Sequence, residues 1–445
     1  MIFLALLIAA PLAVIFFMLP LHWRLFFTLV LSVPQLYIFQ ILGADIPIAL
    51  LCALTLIPDT AGIIIKLKNK KILFTLALIC VIQAISLAWS INVSMGARDV
   101  VYGMIFIIIA AAVYKVVLTH PLKMGSIVFW MMLFVSFEAI LIIIFRLNPE
   151  LEVTLTLSPI ASYFLGKNVL DGLLAGVRNN FYDPVKSGGF FINANAAACY
   201  IGLASFMAWG WARLTKSKIL TMVAALCWIS VFFTGSKAGF LLALAVPMLT
   251  YFIYIKHQSK KAALFFVILS CVGTIVCTLA ISYTLLDNSQ YVSATGTAAE
   301  SRFIIWDYAS NAFLRSPILG QGYGGWEADY VKYTDYFLPP HNTIVYMWSK
   351  SGVIASILSI MFIFYVIQLN LKCMKSFEPV IRIAGTTSFM VSAWLFMHGM
   401  GENFGLLGEP HQEVFLPVMI GTLYGLIERQ RIANINLDNS SQSSD

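Results

Sequence analysis

Charge is what this chain of 445 residues has least of: Asp, Glu, Lys and Arg make up 11% of it, against about a quarter of an ordinary soluble domain. That scarcity excludes a solvated surface over most of the molecule. Metal and redox patterns are missing too. The seven cysteines show no CxxC or zinc-type spacing, and none lies in the two long segments that interrupt the apolar runs, so no disulfide framework is expected. The six histidines contain no HExxH pattern. His398 and Glu402 stand one helical turn apart, but a lone i,i+4 pair reads first as a structural or solvated pair. No solenoid-type repeat is found. The segment Met1–Pro20 lacks the basic region of a cleaved signal peptide and reads as a retained apolar segment.

Apolar residues fill the space that charge leaves. They are 60% of the chain, and the mean hydropathy is +0.87. Stretches of roughly 20 apolar residues recur, the length a helix needs to cross a bilayer. The sequence predicts an all-α, polytopic membrane protein with about twelve or thirteen transmembrane helices. They fall near 2–18, 25–42, 48–65, 72–89, 99–118, 125–145, 190–211, 219–233, 238–255, 262–285, 342–369, 384–400 and 412–427; the first counts as a full or a half span. Basic connectors recur at every second loop: 66–71, Lys115 to Lys123, 212–218, 256–261, 371–375 with Arg382, and 428–431. The positive-inside rule makes these cytoplasmic. The net charge of +7 therefore reflects topology and implies no nucleic-acid partner.

Five regions follow: N-terminal spans 1–145, an outer loop with central spans 146–285, a large outer loop 286–341, C-terminal spans 342–428, and a polar tail 429–445 expected to be disordered. Loops as long as the two outer ones are usually functional or disordered. The second holds apolar residues at helical spacing, then a Gly-rich turn, and reads as short helices folded on the membrane surface. His341 closes it. Pro339 and Pro340 force extended backbone before His341, and an apolar run follows Asn342. His341 is thus expected at a helix start, at the outer water–lipid boundary.

Taken one at a time, the candidates have plain readings. A histidine at a loop end is usually solvated. Arg302 and Arg315 read as loop surface charges, Arg146 and Arg178 as interface anchors, Asn193 and Asn195 as helix caps, and Lys237 as a snorkelling amine in a tight turn. Glu138 and Lys350 are harder to set aside, because ionisable groups inside apolar spans mark a pathway or a site; a buried Glu–Lys pair is the alternative.

Together the pieces resemble a family. "GFFINANAAACY" (189–200), "TGSKAGF" (234–240), "SRFIIWDYASNAF" (301–313), "SPILGQGYGGW" (316–326) and "HNTIVYMWSKSGVIAS" (341–356) occur in the order seen in the O-antigen ligase and polymerase superfamily. The resemblance covers about residues 90–370. It implies a helical, GT-C-like membrane glycosyltransferase of the bacterial inner membrane with its active site on the periplasmic face, needing no metal and no cofactor. Such an enzyme takes a glycan from an undecaprenyl-diphosphate carrier. A ligase passes it to a lipid A–core hydroxyl, a polymerase to a second carrier-linked glycan, and a more distant relative to a protein. The family's essential histidine matches His341, and its loop arginine matches Arg302. Where relatives carry Ser-Arg, this chain has Ser236-Lys237, and where they often carry Glu, it has Lys350.

The chemistry suits these residues. A leaving diphosphate calls for fixed cations, and the outer-face set Arg302, Lys237, Arg178 and Arg315 supplies them. Asn195 and Asn342 add polar contacts to substrate. An acceptor hydroxyl losing its proton calls for a base near neutral pKa, a role for His341, and single displacement inverts the anomeric centre. The reading from another class is a transporter or flippase. Its signature is a pair of related halves with broken helices meeting at the midplane; the polar residues here gather instead on the outer face.

Overall fold

A computed structural model describes residues 14–41, 44–67, 70–175, 181, 183, 185–258, 303–335, 338–402, 405–407 and 414–442. It is an all-α polytopic membrane protein. In chain order the main helices are α1 (Leu21–Leu31), α2 (Ile48–Leu54), α3 (Ile57–Leu67), α4 (Lys71–Ser86), α5 (Val93–Thr119), α6 (Pro121–Leu147), α7 (Pro149–Thr156), α8 (Lys167–Leu174), α9 (Ala194–Thr215), α10 (Lys218–Phe233), α11 (Lys237–Gln258), α12 (303–315), α13 (Gly325–Thr334), α14 (Thr343–Met374), α15 (Pro379–Gly399) and α16 (Phe415–Gln442).

Among the described residues, six helical segments are long and apolar enough to cross a bilayer: Lys71–Trp89, Val93–Thr119, Pro121–Leu147, Lys237–Tyr254, Thr343–Met374 and Pro379–Gly399. The pair Ile48–Leu54 and Ile57–Lys66, bent by 62°, makes a seventh. Helices α1, α9, α10 and α16 stand where four more spans were expected. The expected spans at 2–18 and 262–285 lie largely or wholly outside the described residues. So does the stretch 286–302 of the large loop.

The expected span at 25–42 is corrected. Helix α1 ends at Leu31, and β1 (Tyr37–Ile41) pairs antiparallel with β2 (Ala44–Pro47). Pro34 cannot continue the helix hydrogen bonding, and the Tyr-Ile-Phe-Gln-Ile run prefers extended backbone. The hairpin meets the first outer loop, where Asn168 N–H donates to Asp45 Oδ2 at 2.9 Å. The tail also differs from expectation, since α16 continues as helix to Gln442.

Helix α9 forms the centre of the bundle. From Ala196 to Ala208 every residue is buried, and seven of the thirteen are Ala, Gly or Ser, as helices in close apposition require. A Cβ on Gly202 would lie 2.3 Å from the Trp394 ring of α15, so this crossing needs glycine. At the end carrying the basic connectors, Arg24 and Lys115 both pair with Asp59. Asn92, Asn193, His341 and the end of α15 lie at the opposite end, as the alternation of helices requires. Thr343 Oγ1 donating to Gly399 O at 3.0 Å places the start of α14 beside the end of α15.

The second outer loop docks on a break in α14. Gly352 has φ 82° inside that helix, a conformation glycine alone adopts readily. There Gln321 N–H donates to Ser349 O at 2.7 Å and Val353 N–H to Ile318 O at 3.1 Å. A Cβ on Gly352 would fall 1.9 Å from Ile318 O.

Candidate active site

His341 lies just before α14, after the prolyl pair. Its φ is 48°, a left-handed conformation uncommon for any residue with a side chain. Asn342 then caps the helix: its Oδ1 accepts from Ile344 N at 2.9 Å and Val345 N at 3.2 Å, and its Nδ2 donates to Met400 O at 3.2 Å. The cap and the Thr343–Gly399 bond fix the loop against the end of α15, which brings Glu402 to His341. His341 Nδ1 stands 3.8 Å from Glu402 Oε2, both side chains mostly buried. The expected i,i+4 relation of His398 and Glu402 is thus less informative than this contact across two loops. His398 itself is buried in α15.

A second cluster joins two of the sequence motifs. Asn193 caps α9, accepting from Asn195 N at 2.8 Å and Ala196 N at 3.3 Å. Asn195 is not a cap; its Oδ1 accepts from Ser236 Oγ at 2.7 Å. Ser236 in turn accepts from Gly239 N at 3.1 Å, and Ser187 N–H donates to Thr234 O at 3.1 Å. Lys237, the first residue of α11, is exposed beside this cluster.

Two buried carboxylates hold the same loop from below. Glu138 Oε1 accepts from Phe190 N at 2.9 Å, and Glu152 Oε1 from Gly188 N at 3.2 Å. Burial pushes the Glu152 carboxyl up to about 7, opposed by the Gly188 hydrogen bond. The alternative of a Glu138–Lys350 pair is corrected. Lys350 Nζ instead lies 3.8 Å from Asp99 Oδ2 of α5, with the Tyr346 ring at 3.6 Å and the Tyr323 ring at 5.0 Å. A charge in a membrane bundle needs such partners.

Arg315 is already engaged. Its Nη2 pairs with Asp329 Oδ2 at 2.8 Å, and the same oxygen accepts from Tyr308 OH at 2.9 Å. The pair is solvent-exposed and so only partly offsets the charge, which places Arg315 behind the other cations as a diphosphate ligand. Arg302 and Arg178 lie outside the described residues; Arg302 immediately precedes α12. Among the described residues, no three His, Cys, Asp or Glu side chains are grouped to hold a metal.

Sequence reasoning set Glu402 beside His398 and not His341, and it missed Asp99 and Glu152. For Asp99 and Glu402 a signal was present: in a chain with only 21 acidic residues, each stands at the outer end of an apolar span. For Glu152 none was, since an acidic residue in a polar loop gives no hint of burial.

Residues 222–360, just under a third of the chain, match the O-antigen ligase family. The match covers four of the five ordered motifs and bears out the resemblance to that superfamily. No curated protein matches the chain.

Proposed function

We propose that the chain transfers a glycan from undecaprenyl diphosphate to a lipid A–core sugar hydroxyl at the periplasmic face of the bacterial inner membrane. The observation that carries this reading is the His341–Glu402 pair at the end of the bundle opposite the basic connectors. A carboxylate facing Nδ1 favours the tautomer with hydrogen on Nδ1, leaving Nε2 as the base. The acceptor O–H gives its proton to Nε2 while its oxygen attacks the anomeric carbon. The bond from that carbon to the diphosphate oxygen breaks, and the diphosphate leaves with the electron pair. One displacement inverts the centre.

Cations answer the charge that builds on the leaving group. Lys237 and the family-matched Arg302 are first in that role, with Arg178 in support. Arg315 ranks lower because of Asp329. Lysine at position 237 keeps the charge of the family's arginine but loses its bidentate grip. Asn342 acts through the helix cap it forms, holding His341 in place, and Asn195 through Ser236, holding the Lys237 turn. The depth also fits, since the donor's diphosphate sits at headgroup level and its polyprenyl tail in lipid.

Polymerisation of carrier-linked repeats uses the same donor and the same chemistry. A surface-glycan gel from a deletion strain separates the two. An intact core without long chains means ligase, and a core carrying one repeat unit means polymerase. An unchanged pattern contradicts both.

A further inference from the structure

At the basic end of the bundle a cavity of about 690 Å³ opens between the start of α4, the end of α14 and α16. Lys70 and Lys71 line one side, Lys372 and Lys375 the other. Lys70 lies 5.3 Å from the Tyr424 ring centre and Lys71 5.3 Å from that of Tyr365, so the aromatic wall steadies two of the four amines. Among the described residues, no acidic side chain lines the cavity. None of the four lysines forms an ion pair among the described residues. Lys70 also occupies the N-cap of a 16-residue helix with no side-chain cap, which adds the positive end of the helix dipole. Four like charges converging on one recess repel one another, and a bound anion offsets that repulsion.

We propose that this cavity holds the phosphate headgroup of an anionic glycerophospholipid from the leaflet at that end. The bearing chemistry is a phosphate anion. Its position argues for a lipid source: the recess lies between the ends of two membrane-crossing segments, Lys71–Trp89 and Thr343–Met374, at the level of headgroups. Ile72, Leu369 and Leu371 also line it, an apolar surface that suits a glycerol backbone and the first acyl carbons but not an inorganic ion. Basic recesses between helices on the cytoplasmic side suit such headgroups. The lipid bridges α4 and α14 at the end away from His341, and the inference does not depend on the proposed reaction.

The test is native mass spectrometry of the full chain purified in detergent, with phosphatidylglycerol or phosphatidylcholine added. Wild-type protein should retain phosphatidylglycerol over phosphatidylcholine, and retention should fall as NaCl is raised. Each Lys→Gln change in the set should weaken retention by about fivefold, and the quadruple K70Q/K71Q/K372Q/K375Q variant should lose it. K216Q/K218Q, at the same end but outside the cavity, should bind as wild type does. The quadruple Lys→Arg variant should also bind, which separates lost charge from lost folding. Equal loss in the Lys216/Lys218 control, equal retention of phosphatidylcholine, or displacement of the lipid by millimolar inorganic phosphate overturns the proposal; the last assigns the site to a free anion.

Discussion

His341 Nδ1 and Glu402 Oε2 stand 3.8 Å apart although 61 positions separate them in the chain. Two loop ends, tied by the Asn342 cap and its bond to Met400, create the contact. Glu402→Gln keeps the shape of the side chain and removes its charge, so the Nδ1–H tautomer is less favoured. Transfer should slow by less than the ~10²–10⁴ that a general base contributes, while binding of carrier-linked donor stays unchanged. The check is the rate against donor affinity in purified protein; a loss of affinity at unchanged rate means that Glu402 serves binding.

Lys350 and Asp99 supply a second test. Removing one member of a fully buried pair strands the other at about 3 kcal/mol; here Arg98, 4.0 Å from Asp99, offsets part of that cost. Lys350→Met should therefore lower the unfolding temperature in detergent. Lys350→Met combined with Asp99→Asn should recover most of the loss. If the double variant is as unstable as the single, the pair is not the source of the effect.

Glu152 predicts a pH dependence. Its carboxyl is raised from 4.5 to about 7 by burial, so between those values the folded chain holds a proton that the unfolded chain has released. Stability from this group is then full below about 4.5, falls as pH rises toward 7, and levels off above. Glu152→Gln should flatten the decline in unfolding temperature across that window. An unchanged slope removes Glu152 as its cause.

The helical membrane class was legible because hydropathy at period-free lengths of roughly 20 residues is decisive. The hairpin at 37–47 was not, because Tyr37 to Ile41 are as apolar as a span and only Pro34 and Pro47 mark the change. His341 and the cap at Asn342 were readable from two prolines and an asparagine before an apolar run. Glu402 could be noticed as a rare acid at a span end, but its pairing with His341 could not, since nothing local joins a residue after one helix to a residue before another. The same reason hid Asp99 behind Lys350, where the natural guess within reach was Glu138. Arg315 shows the converse: its charge was plain in the sequence, and its pairing with Asp329 depends on the fold of the outer loop.

The central claim is that His341 is the general base, and the direct measurement is transfer by purified His341→Gln protein with carrier-linked donor and acceptor, EDTA present. Glutamine retains a hydrogen bond but accepts no proton near neutral pH. Folding and donor binding should persist, because His341 stands at a loop end and the diphosphate is held by cations. Transfer should fall by ~10² or more, and His341→Ala should fail equally. A Gln variant that transfers at the wild-type rate contradicts the account and leaves His341 a positioning residue.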